Sequence, residues 1–251
     1  MYLLGDHVAE LNQSKLLISI ATYNEHDNLR PLVESIKNFM PLAHILVVDD
    51  NSPDGTGNLA DVLTQEFSSI HAIHRTGKLG LGTAIVAGMK FAIDNEFDYF
   101  MSIDADFSHN PKYIPPIFQG MTEKDVMIGS RYIPGGGTQN WPLSRKIIST
   151  SVNYLVKFLF WMPVRDASGG FRCYRTSKLK EVNFGRVCSK GYSFQQEMLF
   201  RVYRCGSKLG EYPIIFEDRR AGSSKVNWKE ALRSISLLIY LGIMSRFKRN
   251  L

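Results

Sequence analysis

Cysteine is scarce in this sequence: Cys173, Cys188 and Cys205 are the only three in 251 residues. An odd count with no CxxC pair and no His/Cys cluster excludes a disulfide scaffold and offers no zinc-ligand spacing. It predicts reduced structural thiols in a reducing compartment such as the cytoplasm. Long hydrophobic runs are missing too. The longest, Ile235–Met244, is interrupted by Ser236 and Gly242 and has about half of the ~20 residues a membrane span needs. The opening MYLLGDHVAELNQSK has neither a basic nor a long apolar segment, so no signal peptide is expected and the chain reads as soluble or peripheral. Basic runs and nucleic-acid modules are absent as well, so nucleic acid is not an expected partner.

What is present is ordinary globular composition, 44% apolar and 22% charged. The net charge of +6 is small enough to sit in one patch, which suits a phosphate-rich ligand or an anionic membrane surface. Leu16–Ala21, Ile45–Val48, Ile70–Ile73 and Tyr99–Ile103 read as short apolar strands. Between them, Asn28–Met40, the segment around Leu59–Phe67 and Thr83–Asp94 carry helical spacing. This alternation predicts an α/β fold with a mostly parallel sheet and helices on both faces. Ligands bind such sheets beyond the carboxyl ends of the strands. Asp49, Asp50, Asp104 and Asp106 follow strands there and are expected to converge on one crevice.

The second half is less regular. Val126–Ser130 reads as a strand, Gly135–Gly137 as a flexible loop, Ile147–Phe160 and Glu197–Arg204 as helices, and Tyr212–Phe216 as an edge strand. Residues 1–226 form the expected catalytic domain. Residues 227–251 form an amphipathic helix with a basic tail, Arg246, Lys248 and Arg249, expected to meet a membrane or a partner, or to pack the same apolar stripe on the catalytic domain.

Four features carry chemistry. Asp104-Ala105-Asp106, directly after YFMSI, offers two carboxylates to one hard cation, Mg²⁺ or Mn²⁺, with substrate phosphate completing the shell. Asp49-Asp50 ends a buried strand, and a cap explains only one of the two acids; Asp50 is suited to accept from the N–H groups of a base. Gly77-Lys78-Leu79-Gly80-Leu81-Gly82 opens a helix and forms an anion site, but fits neither GxxxxGK[ST] nor GxGxxG. Arg131, Arg145, Arg219, Arg220 and Lys225 lie in loops, several of them rich in Gly and Ser, where guanidinium groups suit phosphate.

The segments ATYNEHDNL, VVDDNSPDGT, KLGLGTA, DADFSHNPKYIP, GSRY, SRKIIS, DASGGFRCYR, SKGYSFQQEM and DRRAGSSK together resemble family 2 inverting glycosyltransferases of the GT-A (Rossmann-like) fold. The likeness is greatest to the dolichol-phosphate mannosyltransferase branch, from about residue 17 to about residue 244. It implies transfer of mannose from GDP-mannose to a dolichyl or other polyprenyl phosphate on the cytoplasmic face of a membrane, sometimes beside a small membrane-anchor subunit. Under it, Ala21, Tyr23, Glu25, Val48, Asp50, Lys78 and Ala105 are donor contacts, with Arg131, Arg219 and Lys225 on its phosphates. Asp104, Asp106 and Arg131 form the catalytic set, and Asp104, Asp106 and Ser108 the metal set. Arg131, Arg145, Ser149 and Arg219 hold the acceptor phosphate. Two positions depart from the pattern: Ala21 stands where many relatives have Pro, and Ser108 where Gln is common. His109 reads as a loop residue.

A polyprenyl phosphate already bears an oxyanion at neutral pH, so such an enzyme needs alignment and charge stabilisation rather than a general base. The rivals are glucose transfer from UDP-glucose, a nonenzymatic sugar-nucleotide-binding subunit and a nucleotidyltransferase. The last would carry a glycine- and arginine-rich loop before Leu16, which is absent.

Overall fold

The computed structural model describes residues 11, 13–189, 191, 193–218 and 236–243. Strands β1 (Leu16–Thr22), β2 (His44–Asp49), β3 (Ile70–His74), β4 (Tyr99–Asp104), β5 (Val126–Ser130), β7 (Arg172–Arg175) and β8 (Leu209–Pro213) form one sheet in the order β3-β2-β1-β4-β7-β5-β8. All its pairings are parallel except those of β7, which runs antiparallel to both β4 and β5.

The strands are apolar throughout because both faces are covered. Successive side chains alternate between faces, so Leu17, Leu46 and Phe100 enter one core and Ile18, Ile45 and Met101 the other. On the first face they meet Met89 and Ala92 of α3 (Leu81–Asp94) and Met198 of α7 (Phe194–Arg204). On the second they meet Leu29, Leu32 and Ile36 of α1 (His26–Phe39) and Leu63 of α2 (Thr56–Glu66).

Three stretches differ from expectation. Strand β7 has no apolar run, only Arg-Cys-Tyr-Arg, yet lies inside the sheet. Arg172 is wholly buried there; its guanidinium donates to the carbonyls of Ala167 and Gln195, so fixed carbonyl dipoles replace water. The expected edge strand Tyr212–Phe216 is two strands. Pro213 ends β8, and β9 (Ile215–Phe216) leaves to pair with β6 (Gly137–Thr138). The glycine loop before β6 is therefore fixed rather than flexible. Gly136 donates to Ile133 O, Gly137 donates to Ile214 O, and a Cβ on Gly136 would stand 2.5 Å from Ser130 O.

Residues 236–243 are helical. The expected lipid-facing stripe is divided: Leu238 and Leu241 are buried in the core with Val156 and Phe160 of α5 (Leu143–Phe160), and a Cβ on Gly242 would lie 3.2 Å from Leu159. Ile239, Tyr240 and Ile243 stay exposed. Trp228, Ala231, Leu232, Ile235, Arg246, Lys248 and Arg249 lie outside the described residues. Among the described residues no helix is long and apolar enough to cross a membrane.

Candidate active site

Parallel pairing sets Ala21 level with both Val48 and Asp104, so β1, β2 and β4 end together. A sharp turn follows each: Asn24, Asn51 and Phe107 have φ of 60°, 58° and 60°. Asn tolerates this left-handed region; Phe does not readily, and Phe107 holds it inside the Asp106–Ser108 turn. The first two turns are cross-linked. Ser52 Oγ accepts from Asn24 N, Thr56 Oγ1 accepts from Glu25 N, and Asp54 accepts from His26 N and Thr56 N.

These ends enclose a cleft of about 240 Å³. Of the expected donor contacts, Ala21, Tyr23, Glu25, Asp50, Lys78 and Ala105 line it, together with Asp104 and Asp106. The Lys78 ammonium sits 4.3 Å above the Tyr23 ring. Val48 is corrected: it is wholly buried in the core and is not among the lining residues. Asp49 is corrected too. Neighbouring residues of a strand face opposite ways, so Asp49 turns from the cleft and accepts from Thr22 Oγ1, Ser52 N and Ser52 Oγ. Asp50 faces the cleft and pairs with Arg75 at 2.7 Å. Burial raises the Asp50 carboxyl above the usual range and outweighs the opposing pull of Arg75.

The glycine-rich segment, expected to bind an anion, has a packing role. Gly80 has φ of 100° before α3 begins, and a Cβ on Gly82 would lie 2.7 Å from the Phe194 ring. Gly82 thus lets the first turns of α3 and α7 touch.

At the end of β4, Asp106 Oδ1 accepts from Ser108 N at 3.0 Å, which shapes the turn. His109 Nδ1 lies 3.4 Å from Asp104 Oδ2, with the His109 ring packed against Phe171 and Phe216. His109 is a loop residue, as expected, but a buried one that sits behind Asp104. Burial lowers its pKa against the pull of Asp104 and Asp106. Two carboxylates on an open cleft fit Mg²⁺ or Mn²⁺, which take few protein carboxylates and fill the shell with phosphate and water. Among the described residues, no group of three or more His, Cys, Asp or Glu could hold a metal by itself. Ser108 does not line the cleft; its hydroxyl is buried and has no hydrogen-bond partner among the described residues.

A second group of expected residues lies beyond β5. Arg131 does not line the cleft. Its Nε and Nη2 bind the two oxygens of Asp166, each at 2.8 Å, and Nη2 also reaches Ser168. Arg145 stacks 4.0 Å from the Trp141 ring and bonds Asp218 at 3.1 Å. Ser149 accepts from Tyr132 Oη at 2.7 Å, beside Arg131 in the chain. The loop from Asp166 to Gly170 joins the two groups: Gly169 N donates to Asp166 Oδ1, and a Cβ on Gly170 would lie 3.5 Å from Asp104 Oδ1. Arg219, Arg220 and Lys225 lie outside the described residues. Arg75 and Asp166 escaped the sequence reading because each is defined by a partner distant in the chain.

Residues 17–182 match the family described as Glycosyl transferase family 2. The chain is 39% identical over 213 residues to an undecaprenyl-phosphate mannosyltransferase of Micrococcus luteus, covering 85% of this chain and 88% of that protein. It is 37% identical over 237 residues to a polyprenol monophosphomannose synthase of Mycolicibacterium smegmatis, covering 94% and 89%. Among solved structures, glucosyl-3-phosphoglycerate synthase of Mycobacterium tuberculosis, in complex with Mn²⁺, UDP and phosphoglyceric acid, superposes with a TM-score of 0.66. That match covers 97% of this chain and 82% of the other at 16% identity, so it speaks for the fold alone.

Proposed function

The chain belongs to glycosyl transferase family 2, and from that premise we propose that it moves mannose from GDP-mannose to a polyprenyl phosphate, inverting the sugar. One observation carries the reading. A single cleft joins a nucleoside end, Tyr23, Glu25 and Asp50, to an acidic end, Asp104 and Asp106, in a chain whose relatives are named for mannose and polyprenyl phosphate.

Asp50 and Glu25 accept from the base and ribose, and Tyr23 with Lys78 closes over that end. Asp104 and Asp106 would hold Mg²⁺ or Mn²⁺, which supplies positive charge to the leaving diphosphate. The acceptor phosphate is ionised at neutral pH, since its second pKa is about 6. Its oxygen bonds to the anomeric carbon while the bond from that carbon to the diphosphate oxygen breaks, releasing GDP. No proton is removed in this step. Arg131, locked by Asp166, positions the β5 end and the Asp166–Gly170 loop; Arg145 and Ser149, on α5, lie on the acceptor side.

The acceptor's tail stays in the bilayer, so the site must come to the lipid surface. Helix α5 exposes Leu143, Ile147, Tyr154 and Phe158, and Ile239, Tyr240 and Ile243 of the neighbouring helix are exposed as well. This surface, continued by the C-terminal segment 227–251, gives peripheral attachment at the cytoplasmic face, directly or through a small membrane subunit.

A panel of GDP- and UDP-sugars with polyprenyl phosphate and Mg²⁺ tests the reading. GDP released from GDP-mannose, dependent on the lipid phosphate, is the expected result. UDP released from UDP-glucose would move the chain to the glucose branch.

A further inference from the structure

Gln195 makes no appearance in the donor cleft, yet it stands beside Asp104. The residue is 7% exposed, and its amide has no hydrogen-bond partner among the described residues; only its main-chain carbonyl is used, by Arg172. Its Nε2 and Asp104 Oδ1 lie 3.4 and 3.5 Å from the one point where a Cβ on Gly170 would stand. Gly170 thus leaves open a small gap that both groups face. An amide facing that gap is free to donate to a group that enters it.

The placement says what that is. Across the sheet the order β2-β1-β4-β7 sets the nucleoside end first, the Asp104–Asp106 carboxylates next, and the loop before β7 with the first turn of α7 after them. With the diphosphate on Asp104 and Asp106 as proposed above, the attacking oxygen, which must come from the opposite side, enters from the α7 side. The N-terminus of this 11-residue helix favours an anion.

We propose that the Gln195 amide, at the N-terminal turn of α7, donates to the phosphate of the acceptor as it meets the sugar. This rests on the polyprenyl-phosphate reading above. A neutral donor suits an acceptor that arrives ionised; a carboxylate at this position would repel it. Gln195 is therefore an acceptor-binding and specificity-determining residue, and Gly170 keeps its path clear.

Full-length Gln195→Ala, Gln195→Glu and Gly170→Ala are compared with wild type. Melting temperature and calorimetric binding of GDP with Mn²⁺ are measured beside kcat and KM for a short-chain polyprenyl phosphate. Gly170→Ala meets only ordinary contacts, 3.4 Å or more, and serves as the variant that folds. Gln195→Ala is expected to lower kcat/KM for the lipid phosphate 10- to 100-fold, and Gln195→Glu further, with GDP affinity kept within twofold. Wild-type transfer by all three variants overturns the inference alone. Loss of GDP affinity in step with transfer also overturns it, because the amide then serves the donor. If wild type transfers to no polyprenyl phosphate, the functional reading fails first and takes the inference with it.

Discussion

Arg131 and Asp166 form a two-pronged ion pair sealed in the interior, with side chains 8% and 0% exposed and both N–H···O contacts at 2.8 Å. The Asp166 carboxylate also accepts from the main-chain N–H of Arg131 and of Gly169, so one charge pair fixes both the end of β5 and the loop that runs to Gly170. Breaking such a pair from one side costs far more than its net contribution, because a buried charge is left alone.

Asp166→Asn is accordingly expected to lower stability by about 3–5 kcal/mol at neutral pH. Burial alone would raise the Asp166 carboxyl, but Arg131 outweighs it and holds it below the usual carboxylate range. A depressed folded pKa gives stability that is complete above the unfolded value, about 3.9, and is lost as pH falls through the folded one. Urea titrations of wild type and variant should therefore differ most near pH 7 and converge in acid. A constant gap down to pH 2 would contradict the assignment.

Gly82→Ala sets two effects against each other. Alanine gains about 1 kcal/mol of helix propensity over glycine. Its Cβ would meet Cβ, Cγ and Cδ2 of Phe194 at 2.7–2.9 Å, atoms close to the backbone of α7, and overpacking costs about 1–3 kcal/mol. Packing should win: the melting temperature falls, and transfer falls with it as the start of α7 is displaced.

The metal is tested at Asp106. Asp106→Ala should keep its far-ultraviolet circular dichroism, lose turnover by 100-fold or more, and lose the gain in GDP affinity that Mn²⁺ gives wild type. EDTA should mimic the loss in wild type. Full activity of EDTA-treated protein would remove the metal from the account.

The lipid-facing surface is tested by charge. Tyr154 and Phe158 are 72% and 68% exposed, so Tyr154→Glu with Phe158→Glu should leave the fold intact. Co-sedimentation with phosphatidylglycerol vesicles should fall several-fold, while GDP binding is unchanged. Equal sedimentation would move the membrane contact elsewhere.

The first half of the chain was legible because apolar strands buried on both faces announce themselves, and acids at their ends have no place in such runs. Asp50, Asp104 and Asp106 were found that way. The alternation of strand side chains could have separated Asp49 from Asp50, since adjacent residues face opposite sides. Strand β7 was not legible: Arg172 is buried only because carbonyls of Ala167 and Gln195 come to it from other parts of the chain. Arg131 was read from its motif as a phosphate ligand, yet its guanidinium is engaged by Asp166, 35 residues away in the chain. Val48 fitted the family pattern and Ser108 departed from it, but the fold faces Val48 into the core and buries the Ser108 hydroxyl.

The most direct test of the central claim follows the sugar itself. Protein is incubated with GDP-mannose labelled in the sugar, a polyprenyl phosphate and Mg²⁺, and the mixture is extracted into organic solvent. The account predicts label in the organic phase as an acid-labile mannosyl phosphate lipid, with one GDP released per mannose transferred and none of this product when the lipid phosphate is replaced by the free polyprenol. Label that stays in the aqueous phase while GDP is released, or equal transfer to the free polyprenol, would contradict it.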